Sequence, residues 1–113
     1  MKVLLTLLTL FFALSQKAVF SETIGDLVKR NGLYYKKNSD IPFSGEVTGQ
    51  FHGSYKNGKA EGPWVFYYPN GQLYSKGNYK DALQDGPWIT YNIDGTINTQ
   101  DTGIYKNGKK ISD

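Results

Sequence analysis

From Gly53 onward the chain nearly copies itself, and this self-similarity restricts the fold more than any other feature of the sequence. Gly53-Ser54-Tyr55-Lys56-Asn57-Gly58-Lys59 returns as Gly77-Asn78-Tyr79-Lys80-Asp81, and again as Gly103-Ile104-Tyr105-Lys106-Asn107-Gly108-Lys109. Between these stand Glu61-Gly62-Pro63-Trp64-Val65-Phe66-Tyr67 and its echo Asp85-Gly86-Pro87-Trp88-Ile89-Thr90-Tyr91. Asn70-Gly71 is matched by Asp94-Gly95, and Leu73 by Ile97. The interval is 24 residues from Gly53 to Gly77 and 26 from Gly77 to Gly103. A period of this length marks supersecondary units stacked so that each touches only its neighbours.

Each unit holds two turn signals separated by runs rich in Tyr, Trp, Val and Phe. Asn-Gly and Asp-Gly accept the positive φ that type I′ hairpin turns require, so the unit is a strand pair. No sustained i, i+3, i+4 apolar spacing follows the first 21 residues, and glycine at 13 of 113 positions disfavours helices. The expected fold is all-β: an elongated, single-layer antiparallel meander of repeated hairpins. Taking Asn70-Gly71 as a two-residue loop sets Tyr68 opposite Leu73, Phe66 opposite Ser75, Trp64 opposite Gly77, and Tyr67 opposite Tyr74. Taking Asn57-Gly58 likewise sets Gly53 opposite Gly62 and Phe51 opposite Trp64. One face then gathers Phe51, Tyr55, Trp64, Phe66, Tyr68, Leu73, Tyr79 and Trp88, with glycines leaving room for rings. The longer second interval adds two residues, which preserves this parity. Gly53, Tyr55, Gly62, Trp64, Gly71, Gly77, Tyr79, Gly86, Trp88, Gly95, Gly103 and Tyr105 are therefore read as structural repeat residues.

The start of the chain does not belong to this pattern. Met1-Lys2 precedes an apolar stretch from Val3 to Leu14, followed by Ser15, Gln16 and Lys17. A short basic start, a brief apolar core and small residues before a cut describe a secretory leader, too short to span a bilayer. Residues 1–21 are thus expected to be removed, with cleavage after Ser15 or Ser21. Residues 22–52 form an irregular cap and first hairpin, in which Thr23 to Arg30 reads as a short cap or strand. Leu33-Tyr34-Tyr35 and Phe43 to Val47 read as strands joined by the polar loop Lys36 to Pro42. Residues 53–113 form the repeats 53–76, 77–102 and a partial 103–113.

Composition narrows the function. There is no cysteine, so packing alone would hold an exported product. Cleavage at Ser21 takes Lys2 and Lys17 from the 13 basic residues and leaves 11 against 10 acidic ones, which is no footprint for nucleic acid. His52 is the only histidine, so a histidine-based metal site cannot be built, and its place in a strand makes it an exposed sheet residue. Glu61 and Asp85 hold equivalent places before Gly-Pro-Trp. A recurring pair of carboxylates suits glycoside hydrolysis in principle, but equivalence across the two repeats fits a turn acid bonding backbone N–H groups better. No nucleophile-elbow or phosphate-loop pattern occurs. Lys56, Lys59, Lys80, Lys106 and Lys109 cluster at turns, where they protect an edge or meet an anionic surface.

The run Gly-x-Tyr-Lys-Asn-Gly-Lys, Glu-Gly-Pro-Trp, Tyr and Asn-Gly over roughly Leu33 to Lys110 resembles the variant MORN repeat, in the grouping of bacterial proteins described as toxin–antitoxin antitoxins. It departs from that pattern at Ala82-Leu83, where Gly-Lys would stand, and this bears on the tightness of one turn. The resemblance implies an elongated antiparallel sheet that binds proteins or, in some members, lipid surfaces.

The expected function is a non-enzymatic exported module, secreted or periplasmic, that needs no cofactor and binds a protein partner or itself. The alternatives are an envelope binder of anionic lipid or glycan through turn lysines and exposed aromatics, and an antitoxin-like inhibitor of a partner protein. A single layer cannot bury two apolar faces, so the face carrying Val65, Tyr67, Tyr74, Ile89 and Tyr91 is the expected binding patch, unless the chain's own N-terminal segment or a second copy covers it.

Overall fold

The computed structural model describes residues 22–113, so the expected leader and its two cleavage sites lie outside the described residues. The chain runs through β1 (Glu22–Thr23), a 3-10 turn (Ile24–Asp26), β2 (Leu27–Arg30), β3 (Leu33–Lys36), β4 (Gly45–Thr48), β5 (Phe51–Lys56), β6 (Lys59–Tyr67), β7 (Leu73–Lys80), β8 (Leu83–Thr90), β9 (Gly103–Lys106) and β10 (Lys109–Ser112). From β4 to β10 every strand pairs antiparallel with the next in the chain. β1 adds a short parallel strand outside β4. The fold is the expected all-β meander, with one addition: β2 and β3 form a separate two-stranded sheet.

Four tight turns share one backbone. Asn31/Gly32, Asn57/Gly58, Asp81/Ala82 and Asn107/Gly108 have φ of 50/81°, 51/82°, 51/67° and 52/82°. Positive φ at both central residues gives the twist that an antiparallel pair needs. Ala82 adopts the same conformation as the glycines, so the departure from Gly-Lys leaves the turn as tight as its siblings. Each later turn is also tied one unit back: the Gly58 N–H donates to the Phe43 carbonyl at 2.7 Å, Ala82 to Ala60 at 2.9 Å and Gly108 to Gln84 at 3.0 Å.

Between the turns, the register departs from the expected one in an informative way. Ser54 opposes Glu61, but His52 opposes Val65 and Phe51 opposes Phe66, so β6 carries two more residues than β5 across this stretch. Gly62-Pro63-Trp64 arches there, with Gly62 at φ +76°. Gly53 therefore does not face Gly62, and Phe51 does not face Trp64. The same arch recurs in β8, where Asn78 opposes Asp85 and Lys76 opposes Ile89. In both, the tryptophan swings over the glycine of the neighbouring strand, and a Cβ at Gly53 or Gly77 would overlap the ring of Trp64 or Trp88. The indole N–H groups donate to the Ser54 and Asn78 carbonyls at 3.1 and 3.0 Å. Both rings are only 3% exposed. Because the slip is two residues, side chains keep their faces.

The Asn70-Gly71 loop brings a second correction. Trp64–Gly77 and Phe66–Ser75 pair as expected, but Tyr67, not Tyr68, opposes Leu73, and Tyr74 is the extra residue of a bulge. The Tyr68 N–H instead closes the loop onto the Gln72 carbonyl at 2.8 Å. Tyr67 and Tyr74 are consequently not opposite each other. In the next unit, Asn92 and Thr96 form the same closure, and the inserted residues fall in a turn where the Thr102 N–H bonds the Asn98 carbonyl at 3.0 Å.

The two ends close differently. β3 pairs with β2 rather than with β4, and this hairpin folds over the aromatic face. Tyr34 sets its ring 4.9 Å from that of Tyr55 and donates its N–H to the Gly58 carbonyl at 2.9 Å. Leu27, Phe43 and Val47 join Tyr55, Trp64 and Trp88 in the buried cluster. At the other end no third tryptophan exists for Gly103. Lys110 lies there instead, in the space that a Cβ would need, and its ammonium bonds the Thr99 and Gln100 carbonyls at 2.9 and 3.2 Å and Asp113 at 2.9 Å.

At the second central position of these turns, Ala82 alone carries a Cβ where the others have glycine, and positive φ costs an L-residue about 1–2 kcal/mol. Replacing Ala82 by Gly relieves this against a smaller entropic loss, and we expect Ala82→Gly to raise the unfolding free energy by about 1 kcal/mol in urea melts. A loss of stability would show that Ala82 is held by contacts rather than tolerated.

Candidate interaction surface

The arches line up the aromatic rings. Tyr55, Trp64, Tyr79, Trp88 and Tyr105 follow one another across the strands, with centroid separations of 5.1, 5.9, 5.0 and 6.4 Å. All four contacts, with interplanar angles of 85°, 89°, 72° and 67°, have the edge-to-face geometry that aromatic quadrupoles favour. Phe66 stacks on Trp64 at 5.8 Å and fills the row beside them.

Two hollows open on this face. The first, about 280 Å³, lies between the β2–β3 hairpin and the sheet and is lined by Tyr34, Phe51, Tyr55, Trp64, Phe66 and Tyr79, with Lys29 among its borders. The second, about 320 Å³, is lined by Phe66, Tyr74, Ser75, Tyr79, Trp88, Thr90, Asp101 and Tyr105. Phe66 and Tyr79 border both, so the two hollows adjoin along the aromatic face as a groove with these rings between its halves. Its floor is polar in one place: Ser75 and Thr90 are buried and bond each other at 2.9 Å, and Ser75 donates to the Ile89 carbonyl at 3.1 Å.

The patch expected from the sequence is divided between the two faces. Val65, Lys76 and Ile89 stand side by side on the reverse face, and with Pro63 and Pro87 they border a shallow hollow of about 360 Å³. Strand alternation places Tyr67 and Tyr91 on that side too. Tyr74, displaced by its bulge, lines the aromatic groove and sets its ring 4.8 Å from that of Tyr68. Among the described residues, the N-terminal β2–β3 hairpin covers part of the aromatic face. Sequence reasoning took the aromatic face as wholly packed. The missed signal is Asn31-Gly32, which marks a hairpin too short to roof more than one end.

The remaining candidates have plain surroundings. Glu61 accepts the Asp81 backbone N–H at 3.0 Å, tying one turn to the next, as a turn acid should. His52 is exposed. Among the described residues no three His, Cys, Asp or Glu side chains gather as metal ligands. Lys56, Lys59, Lys80, Lys106 and Lys109 are exposed around the type I′ turns at one end of the sheet, and none lies within ion-pair distance of a carboxylate among the described residues.

No protein-family model, curated protein or solved structure matches this chain.

Burial pushes the Tyr55 and Tyr79 phenols above the usual tyrosine range, with the neighbouring Tyr34 adding to both. A phenol whose folded pKa is raised stabilises the fold fully below the unfolded value of about 10 and ceases to do so as the pH climbs towards the folded value. Stability should therefore decline above about pH 10. In an alkaline titration, part of the tyrosinate absorbance should appear only together with loss of the β-sheet circular dichroism. Complete ionisation near pH 10 with the dichroism unchanged would contradict the burial of these rings.

Proposed function

We propose that the chain is a non-enzymatic binding module, working outside the cytoplasm, that takes a protein partner into the aromatic groove. The observation behind this reading is the groove itself. Phe51, Phe66, Tyr79 and Tyr105 are only half-buried there, beside the fully buried Trp64 and Trp88, and the hairpin roofs one end only. Concave apolar surface with a few convergent polar groups is the ordinary form of a recognition site. Tyrosine rims such sites well, because it brings area and a hydroxyl at small entropic cost. The resemblance to the variant MORN repeat, whose members bind proteins through such sheets, supports the same reading, and an inhibitor of the antitoxin type would be one form of it. The leader-like residues 1–21 support the location.

The exposed turn lysines favour a second reading, in which their row meets anionic lipid or glycan in the envelope. Co-sedimentation with anionic vesicles or glycan, abolished by neutralising Lys56, Lys59 and Lys80, would select it.

Affinity capture from the exported fraction tests the first reading. Tyr74→Ser with Tyr105→Ser alters the groove rim, and Val65→Ser with Ile89→Ser alters the reverse face. Both pairs are checked for native circular dichroism. We expect the groove pair to weaken capture by about 10-fold or more, the scale of a binding hot spot, and the reverse pair to leave it unchanged. The opposite result would move the working surface to the reverse face.

A further inference from the structure

We propose that Asn31-Gly32 is a site of spontaneous backbone modification, set apart by the fold from the other Asn-Gly pairs. In this reaction the Gly32 backbone nitrogen gives up its proton and attacks the Asn31 side-chain carbonyl carbon. A C–N bond forms, the bond to the amide nitrogen breaks, and ammonia leaves, creating a five-membered succinimide. Water then opens either imide C–N bond, giving aspartate or isoaspartate. The balance is one water consumed and one ammonia released, with no redox change.

The structure offers matched controls. Asn31, Asn57 and Asn107 have the same backbone, at φ 50°, 51° and 52°, and each is followed by glycine. They differ in the nucleophile. The Gly58 N–H is held by the Phe43 carbonyl at 2.7 Å and the Gly108 N–H by Gln84 at 3.0 Å. The Gly71 N–H, after Asn70, is held by Tyr68 at 2.9 Å, and the Asn70 side chain is itself tied to Gln72. Gly32 has no acceptor among the described residues, is exposed, and has no atom within 4 Å of where a Cβ would stand. Asn31 also sits at the exposed tip of a two-stranded sheet whose ladder is separate from the main one, where fewer strands hold the turn closed.

The product matters because of where it forms. Gly32 and Lys29 border the first hollow of the groove. Isoaspartate inserts a methylene into the main chain of a two-residue turn whose geometry requires positive φ at both positions, so the β2–β3 register is lost and the roof over that hollow loosens. Aspartate adds a negative charge next to Arg30.

Incubating the purified chain at mildly alkaline pH, with timed chymotryptic peptide mapping by mass spectrometry, reads all four sites in separate peptides, where trypsin would release the same Asn-Gly-Lys tripeptide from Asn57 and Asn107. We expect Asn31 to convert about 3- to 10-fold faster than Asn57 and Asn107, the factor by which one net hydrogen bond shifts an opening equilibrium. In urea the rates should converge. Equal or faster conversion at Asn57 or Asn107 in the folded chain would overturn the proposal. So would a ranking that persists in urea, because flanking residues and not the fold would then set it.

Discussion

A tryptophan ring lies over a glycine of the adjoining strand twice in this sheet, Trp64 on Gly53 and Trp88 on Gly77, and each indole N–H is bound to the carbonyl of the residue after that glycine. The contact needs three things together. The glycine must lack a Cβ, the ring must reach across, and the tryptophan's own strand must rise enough to let it. Gly-Pro supplies the rise: Gly62 and Gly86 take positive φ, and proline follows where a ladder N–H is not required. A strand pair alone is marginal in water. These clasps give each hairpin a buried anchor on its neighbour, and the tyrosines of the repeat pack their edges against the same rings.

The ends of the sheet and its open face follow from this unit. A repeat that anchors forward leaves the last glycine without a ring, and Lys110 takes that place with its stem while its ammonium satisfies loop carbonyls. The first unit needs a cover for Tyr55 and Trp64, which the β2–β3 hairpin provides through Tyr34 and Leu27, with Phe43 added from the connection to β4. That cover ends before Trp88. The groove beyond it exists because the aromatic row is longer than the hairpin that roofs it.

Much of this was legible in the sequence, and the misses have physical causes. The period of Gly, Tyr, Trp and Asn-Gly fixed the hairpins, and the two-residue insertion kept the faces of Trp64, Phe66, Tyr79 and Trp88 where alternation put them. Gly62 was read as a strand glycine opposite Gly53, because a two-residue arch preserves parity and so leaves no trace in the hydrophobic pattern. The bulge at Tyr74 does change parity, and it moved Tyr74 out of the patch that contained Val65 and Ile89. Leu33-Tyr34-Tyr35 does meet the Phe43 segment across the polar loop, through the antiparallel Tyr35–Pro42 bridge and the Phe43 N–H on the Tyr34 carbonyl at 2.9 Å, but its full ladder is with β2, which the Asn31-Gly32 turn joins to it by a shorter loop. Nothing in a linear pattern says how far a terminal hairpin reaches across a face.

The dependence of the sheet on the clasp is tested most directly by a double-mutant cycle at Gly77 and Trp88, with stability read from urea unfolding. With Trp88 in place, Gly77→Ala forces a Cβ into the ring and should cost about 1–3 kcal/mol, as overpacking does. In a Trp88→Leu background the space is free, so the same change should become neutral or stabilising, because alanine loses less chain entropy than glycine. An equal cost in both backgrounds would show that Gly77 is required for its backbone alone and that the tryptophan–glycine contact does not hold the repeats together.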